Sequence, residues 1–209
     1  MIETYLKGFT QPFFDRIGRF LIRLNITPNT LTLMAFLTGV AAGVCIALNQ
    51  IGAAIACLVI SGLCDILDGT IARLAHIAQK IGAYMDMISD RLVETAIVLG
   101  FAYLHPEAAF AFLAFLAAAL FQISTFLVAT MVFANTGKKH PFFEQNAISR
   151  IEAFIVFFIM LIFQQYIFEI MLAFSSLIIV SGISRFFKVV AIDREIKLAR
   201  KKKKVSGEI

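Results

Sequence analysis

Charge is the scarcest thing in this sequence. Asp, Glu, Lys and Arg together make up 16% of its 209 residues, where a soluble domain of that length carries about 25%. With 60% of residues hydrophobic and a mean hydropathy of +0.86, there are too few charged side chains to cover the apolar ones in water. That excludes a soluble enzyme and a disordered chain alike. Cysteine is scarce too: Cys45, Cys57 and Cys64 lie inside apolar runs, with no C-x-x-C pair. Neither a disulfide scaffold nor a zinc site is expected, and the three read as packing residues. Four prolines and no Gly-X-Y period exclude a collagen-like fibre. Tryptophan is absent, and the 22 phenylalanines read as lipid-facing and helix-packing groups rather than a platform for nucleobases. No Gly-rich phosphate loop, nucleophile elbow or nucleic-acid motif is found, so no nucleic-acid partner is expected. What remains is a small polytopic membrane protein, all-α, with the lipid bilayer as its first partner.

Apolar stretches cover roughly 31–48, 51–67, 88–104, 108–133, 151–163 and 167–190. A span needs about 17–25 residues, so six transmembrane helices fit the length and leave no room for a second domain. Three connections are very tight: Asn49-Gln50, Leu104 to Glu107, and the region of Gln164 to Tyr166. None of the 19 Lys and Arg residues falls in any of them. Because basic residues are retained on the cytoplasmic side, both termini are expected in the cytoplasm of a multi-pass plasma (inner) membrane protein. No cleavable signal peptide is read, since the first long apolar run begins only at Leu31.

Ahead of that run, Leu6, Phe9, Phe13, Ile17, Phe20 and Leu24 recur at helical spacing. Lys7, Asp15, Arg16, Arg19 and Arg23 fall mostly elsewhere on the wheel. The pattern predicts an interfacial amphipathic helix over 1–26, interrupted or kinked near Pro12. Thr27-Pro28 reads as an N-cap followed by proline at the first helical position, which opens the six-helix region at 27–190. Residues 191–209 form a basic cytoplasmic tail.

Only six aspartates occur, and four of them, Asp65, Asp68, Asp86 and Asp90, sit at the cytoplasmic ends of spans 2 and 3. Spacings of three and four put each pair on one helical face. A charged Asp at mid-span costs about 2.5–3.5 kcal/mol, less near an interface, and four converging carboxylates would add repulsion. Arg73 and Arg91 supply two positive charges against four negative ones. Carboxylate oxygens with no His or Cys among them suit hard cations such as Mg²⁺ or Mn²⁺, and two such ions cancel four charges. Paired metals bridged by carboxylates are suited to displacement at phosphorus. Gly69 and Gly82, lacking a Cβ, would let a helix or ligand approach the backbone.

Written out, the segment is Asp65-x2-Asp68-Gly69-x2-Ala72-Arg73-x8-Gly82-x3-Asp86-x3-Asp90. It resembles the signature of the CDP-alcohol phosphatidyltransferase family at every defined position. The resemblance extends from about Thr27 to Arg185 and implies six transmembrane helices with an interfacial N-terminal helix, commonly as a homodimer. It implies that Asp65, Asp68, Asp86 and Asp90 hold two divalent cations, Mg²⁺ or Mn²⁺, with Asp90 also the general base. It further implies that Gly69 and Arg73 contact the CDP part of a CDP-diacylglycerol-type lipid donor. Asn29 and Thr32, in a similar span-1 entry segment, and Gln79, by chemical likeness alone, are candidate contacts to the same donor.

The acceptor is expected to be a small polar alcohol, possession of a phosphate being left open. Lys138, Lys139, Arg150 and Arg185 form a second basic cluster on the same face, and Arg150 and Arg185 stand where members using phosphorylated acceptors place phosphate-binding arginines. Arg150-x-Glu152 resembles the branch that uses inositol phosphate, but Ala153 stands where a further arginine is expected. Inositol phosphate and glycerol 3-phosphate therefore both stay open. Ser149-x-x-Glu152 also reads simply as a capping box. A rival reading of the aspartates is a metal-ion or proton-coupled transporter; it expects acids at the bilayer midplane and an internal repeat, whereas these crowd one interface. Transferases that use CDP-choline or CDP-ethanolamine would reverse which substrate carries the nucleotide, but are usually longer.

Overall fold

A computed structural model describes residues 2–75, 80–133 and 150–205 of the chain. Seven α-helices are found there: α1 (Ile2–Arg23), α2 (Pro28–Ala47), α3 (Ile51–Leu74), α4 (Lys80–Leu104), α5 (Ala109–Phe133), α6 (Arg150–Ile162) and α7 (Ile167–Val205). Single 3₁₀ turns, Pro106–Ala108 and Gln164–Tyr166, precede α5 and α7. No strand occurs among the described residues, as the all-α expectation requires.

Helix boundaries follow local chemistry. The Thr27 hydroxyl accepts from the Thr30 amide at 3.3 Å, with Pro28 at the first helical position, so the expected cap forms. Two asparagines end helices. Asn25 and Asn49 have φ of 58° and 56°, a left-handed conformation that Asn tolerates better than most side chains. At each, the next amide reaches back across the turn, Ile26 to the Leu21 carbonyl at 3.1 Å and Gln50 to that of Cys45 at 2.8 Å. These Schellman closures satisfy the last carbonyls and let α2 turn into α3 within three residues. Near Pro12 the expected interruption does not occur: α1 runs unbroken past it, because a proline removes one backbone donor without ending the helix when its neighbours continue the ladder. The basic segment Arg200–Lys204, expected as a tail, is a continuation of α7.

Among the described residues, four helical segments are long and apolar enough to cross a bilayer: Pro28–Ala47, Ile51–Leu74, Pro106–Val132 and Gln164–Arg194. The other two expected spans differ for separate reasons. α6 has 13 residues, and α4 carries Asp86, Asp90, Arg91 and Glu94 within its 25. Large apolar side chains such as Leu33, Val44, Phe110, Met131 and Val180 are exposed. In water such a surface would drive association; in a bilayer it is solvated by lipid.

The chain divides into two compact units. The first holds Met1–Ala109 and Ser149–Ile167, so it contains α1 to α4 and α6. Here α2 packs on both α3 and α4, α1 lies on α3, and α6 touches α3 and α4. The α2–α4 crossing is backbone against backbone. A Cβ on Gly43 would strike the Ala96 carbonyl, one on Gly100 the Gly43 carbonyl, and one on Gly39 the Val93 side chain. Small residues at such crossings replace the hydrophobic drive that lipid cannot supply. The Ser61 hydroxyl donates to the Ala35 carbonyl at 2.7 Å and ties α3 to α2. Under α1, buried Leu31, Ala35, Cys64 and Ile71 meet Leu21, Ile22, Ile26 and Leu67. The second unit, Phe110–Ile148 and Phe168–Ile209, pairs most of α5 with α7. In it Phe115 stacks on Phe174 at 5.7 Å, and Gly182 makes room for the Phe121 ring.

Candidate functional site

α3 and α4 both descend from a tight α2 packing, and their facing ends bring three acids together. Asp65, Asp68 and Asp86 each offer a carboxylate oxygen within 4.8 Å of the others. Asp68 is buried at 7% exposure, while Asp65 and Asp86 are half-buried. At that separation one pair of like charges repels by about 3.5 kcal/mol with an effective dielectric of 20, so three pairs reach about 10 kcal/mol. Against three negative charges a monovalent counter-charge leaves two uncompensated and a divalent cation leaves one, and the all-oxygen donor set fits a hard cation.

The arginines nearest in sequence are engaged elsewhere. Arg91 pairs with Glu94 at 2.7 Å. Arg73 folds back along its own helix, Nε donating to the Gly69 carbonyl and Nη2 to the Thr70 hydroxyl, both at 3.2 Å. Arg73 is exposed, so its guanidinium can swing to an incoming anion by exchanging two charge-assisted hydrogen bonds, about 1.5–3 kcal/mol each, for charge-assisted ones to that anion.

Thr32 sits on the opposite helix, α2, and its hydroxyl donates to Asp68 Oδ2 at 2.7 Å. The Pro28 carbonyl is also near, at 3.1 Å, but one hydroxyl carries one proton and the shorter contact is to the carboxylate. Thr32, expected beside the donor nucleotide, thus orients an acid of the cluster in this structure. Asn29 is exposed on the first turn of α2, its Oδ1 lying 3.5 Å from where a Cβ on Gly82 would stand. Gly82 of α4 therefore lies beside the α2 entry segment, with room for a Cβ in ordinary contact. Gly69 behaves differently: a Cβ there would meet nothing within 4 Å. Helix packing does not need this glycine, which leaves its exposed backbone open to a ligand.

Asp90 lies one turn along α4 from Asp86, half-buried, and is not within the three-acid group. One turn further stands Glu94, buried at 6%, which sequence reasoning passed over. The signal was the four-residue spacing Asp86, Asp90, Glu94, which sets all three on one face.

An apolar groove of about 360 Å³ runs between α3 and α6. Leu58, Gly62 and Ile66 line one side and Phe154, Phe158 and Ile159 the other, with Asp65 supplying the charge in its lining. Gly62 keeps it open, since a Cβ there would reach the Phe154 ring at 3.6 Å.

Of the expected acceptor-site residues, Arg150 is the first residue of α6. Arg185 belongs to the second unit, where it is 5% exposed. Its Nη1 donates to the Gln122 carbonyl at 3.1 Å, and its guanidinium lies 5.5 Å over the Phe126 ring. Gln79, Lys138, Lys139 and Ser149 lie outside the described residues.

Comparison with known proteins places these features in a group. The family model for CDP-alcohol phosphatidyltransferase matches residues 25–190. An archaetidylinositol phosphate synthase of Pyrococcus horikoshii is 40% identical over 103 residues, 49% of this chain and 54% of that one. A phosphatidylinositol phosphate synthase of Corynebacterium glutamicum is 32% identical over 100 residues, 46% and 45% of the two chains. The chain thus spans about half the length of the curated relatives it matches. Among solved structures, the Mycobacterium tuberculosis phosphatidylinositol phosphate synthase with CDP-DAG bound superposes with a TM-score of 0.69 at 19% identity, covering 84% of this chain and 92% of that one. The same enzyme in complex with manganese and citrate gives 0.70, covering 84% and 88%. At that identity the likeness is one of fold.

Proposed function

The chain belongs to the CDP-alcohol phosphatidyltransferase family, and from that premise we propose that it transfers a phosphatidyl-type group from a CDP-lipid to the hydroxyl of a polar acceptor, releasing CMP. The observation that carries this reading is the convergence of Asp65, Asp68 and Asp86 within 4.8 Å. The apolar groove that shares Asp65 with them supports a donor that is part lipid and part phosphate. The working form is a six-span protein of the plasma (inner) membrane with both termini cytoplasmic, α1 at the interface over 1–26, a catalytic bundle over 27–190, and a homodimeric assembly. α4 and α6 supply the two remaining spans, the charges of α4 facing its neighbours and the inner rim.

Asp65, Asp68 and Asp86 would hold a pair of Mg²⁺ or Mn²⁺ ions, with Asp90 at the edge of the shell. Such ions supply neutralisation for the diphosphate and for the attacking and leaving oxygens. Thr32 holds Asp68 in its rotamer. Gly69 gives the diphosphate access to the α3 backbone, and Arg73, once swung from its own helix, donates to it as a bidentate group. Asn29, Thr32 and Gln79 would contact the nucleotide part of the donor. Asp90 accepts the proton of the acceptor hydroxyl. The freed oxygen attacks the lipid-bearing phosphorus, the phosphorus–oxygen bond to the second phosphate breaks, and CMP leaves with its electrons. The names of the relatives favour inositol phosphate over glycerol 3-phosphate as acceptor. Lys138, Lys139, Arg150 and Arg185 are the groups to receive its phosphate.

The test uses purified protein in nanodiscs with CDP-diacylglycerol or its ether analogue, Mg²⁺ or Mn²⁺, and inositol phosphate, glycerol 3-phosphate or a phosphate-free alcohol. The expected result is CMP release and lipid product that require both metal and acceptor. Asp90→Asn abolishes both, and full turnover by that variant removes Asp90 as the base. Cation flux into liposomes with no CMP formed from any pairing would favour the transport reading instead.

A further inference from the structure

Helix α1 presents three faces, and two of them are unused by the fold. The docked face carries Gly18, Leu21 and Ile22. Gly18 allows close approach to α3, since a Cβ there would meet the Leu74 and Thr70 side chains at 3.0 and 3.1 Å. Leu21 and Ile22 pack on the buried Leu31, Ala35, Cys64 and Ile71. At about 100° per residue, Phe13, Phe20 and Leu24 share a second face, exposed by 64%, 59% and 55%. Arg16, Arg19 and Arg23 share a third, adjoining face and are all exposed.

We infer that the Arg16–Arg19–Arg23 stripe is a binding surface for the phosphate-bearing head groups of anionic lipids in the surrounding leaflet. Charge complementarity and geometry both argue for that occupant. Phe13, Phe20 and Leu24 are exposed where only hydrocarbon solvates them well, which sets the helix at the depth of the acyl–head-group boundary. The adjoining arginines then lie at head-group level, and guanidinium forks match phosphate oxygens bidentately. A neutral surface would leave three positive charges in a layer of reduced dielectric. An anionic one raises local lipid occupancy by about fivefold for each engaged basic residue. The docked face rests on Thr70 and Leu74 of α3, which leaves the arginine stripe turned away from that helix. The inference rests on membrane placement and not on the transfer reaction.

Its test needs no turnover. The chain contains no tryptophan, so Phe20→Trp, next to Arg19 and one turn from Arg16 and Arg23, creates a single emitter in the full-length protein. Reconstituted into phosphatidylcholine vesicles with a minor fraction of brominated lipid, it is quenched by lipids that dwell near α1. The expected result is severalfold stronger quenching by brominated phosphatidylglycerol than by brominated phosphatidylcholine at equal mole fraction. That preference fades at high salt, survives Arg16→Lys/Arg19→Lys/Arg23→Lys, and is lost in the corresponding triple Gln variant. Equal quenching by the two lipids at low salt overturns the inference, as does a preference that persists in the Gln variant.

Discussion

Thr32→Val tests whether the acidic cluster depends on its supporting hydroxyl. Valine keeps the volume and branching of threonine at a buried position but has no proton to give. The contact removed is a 2.7 Å hydroxyl-to-carboxylate bond, a hydrogen bond to a charged group, which contributes about 1.5–3 kcal/mol. With 1.4 kcal/mol per factor of ten, that is about 10–150-fold, overlapping the 10–100-fold loss typical when a metal ligand's outer partner is removed. The Asp68 carboxylate then faces Asp65 and Asp86 with the Thr32 donor gone. The expected outcome is a 10- to 100-fold weaker Mn²⁺ or Mg²⁺ dependence of CMP release, measured beside direct Mn²⁺ titration by electron paramagnetic resonance. Thr32→Ser, which retains the hydroxyl, should stay within about threefold of the parent, since it keeps the charged hydrogen bond. A Val variant that titrates like the parent refutes the coupling. A Ser variant as poor as Val shows that the methyl packing, and not the proton, was what mattered.

Three other outcomes follow from the same geometry. Gly69→Ala meets no atom and gains up to about 1 kcal/mol of helix propensity, so thermal stability should hold or rise while CMP release falls; unchanged turnover would remove the backbone from the ligand's path. Gly100→Ala drives a methyl into the Gly43 carbonyl and should destabilise the α2–α4 crossing by about 1–3 kcal/mol, read as a lowered Tm in detergent, and an unshifted Tm would show that the helices can part freely. Gly62→Leu fills the groove against Phe154 and should raise KM for the CDP-lipid without altering metal dependence; a KM equal to the parent's would place the donor's chains elsewhere.

Much of this molecule was legible in one dimension because its constraints are local. A span must satisfy its backbone internally, so helices are written as apolar length. The Thr27-Pro28 start needed only adjacent residues, and it formed. The spacing of Asp65 and Asp68 was enough to put them on one face of α3; that Asp86 of α4 meets them there is a matter of packing. Other features needed partners far away in sequence. Nothing near Thr32 in sequence shows that its hydroxyl would donate a hydrogen bond to Asp68, 36 residues on. Arg73 and Arg91 could be counted in sequence only as two charges against four; that each bonds within its own helix needed the structure. Gly39, Gly43 and Gly100 look like any other glycines in apolar runs until α2 is laid across α4.

The linear order of residues by itself determined that this chain is helical, seeks lipid, and carries a set of acids that membranes tolerate only when neutralised. Those properties depend on solvation cost and helical period, which act residue by residue. Tertiary structure alone decided which oxygens share a volume, which arginines stay available, and where α3 and α6 part to leave a groove ending in a carboxylate. These depend on the close approach of backbones at Gly43 and Gly100 and on hydrogen bonds between helices. No spacing along a chain encodes a distance between two helices; packing does.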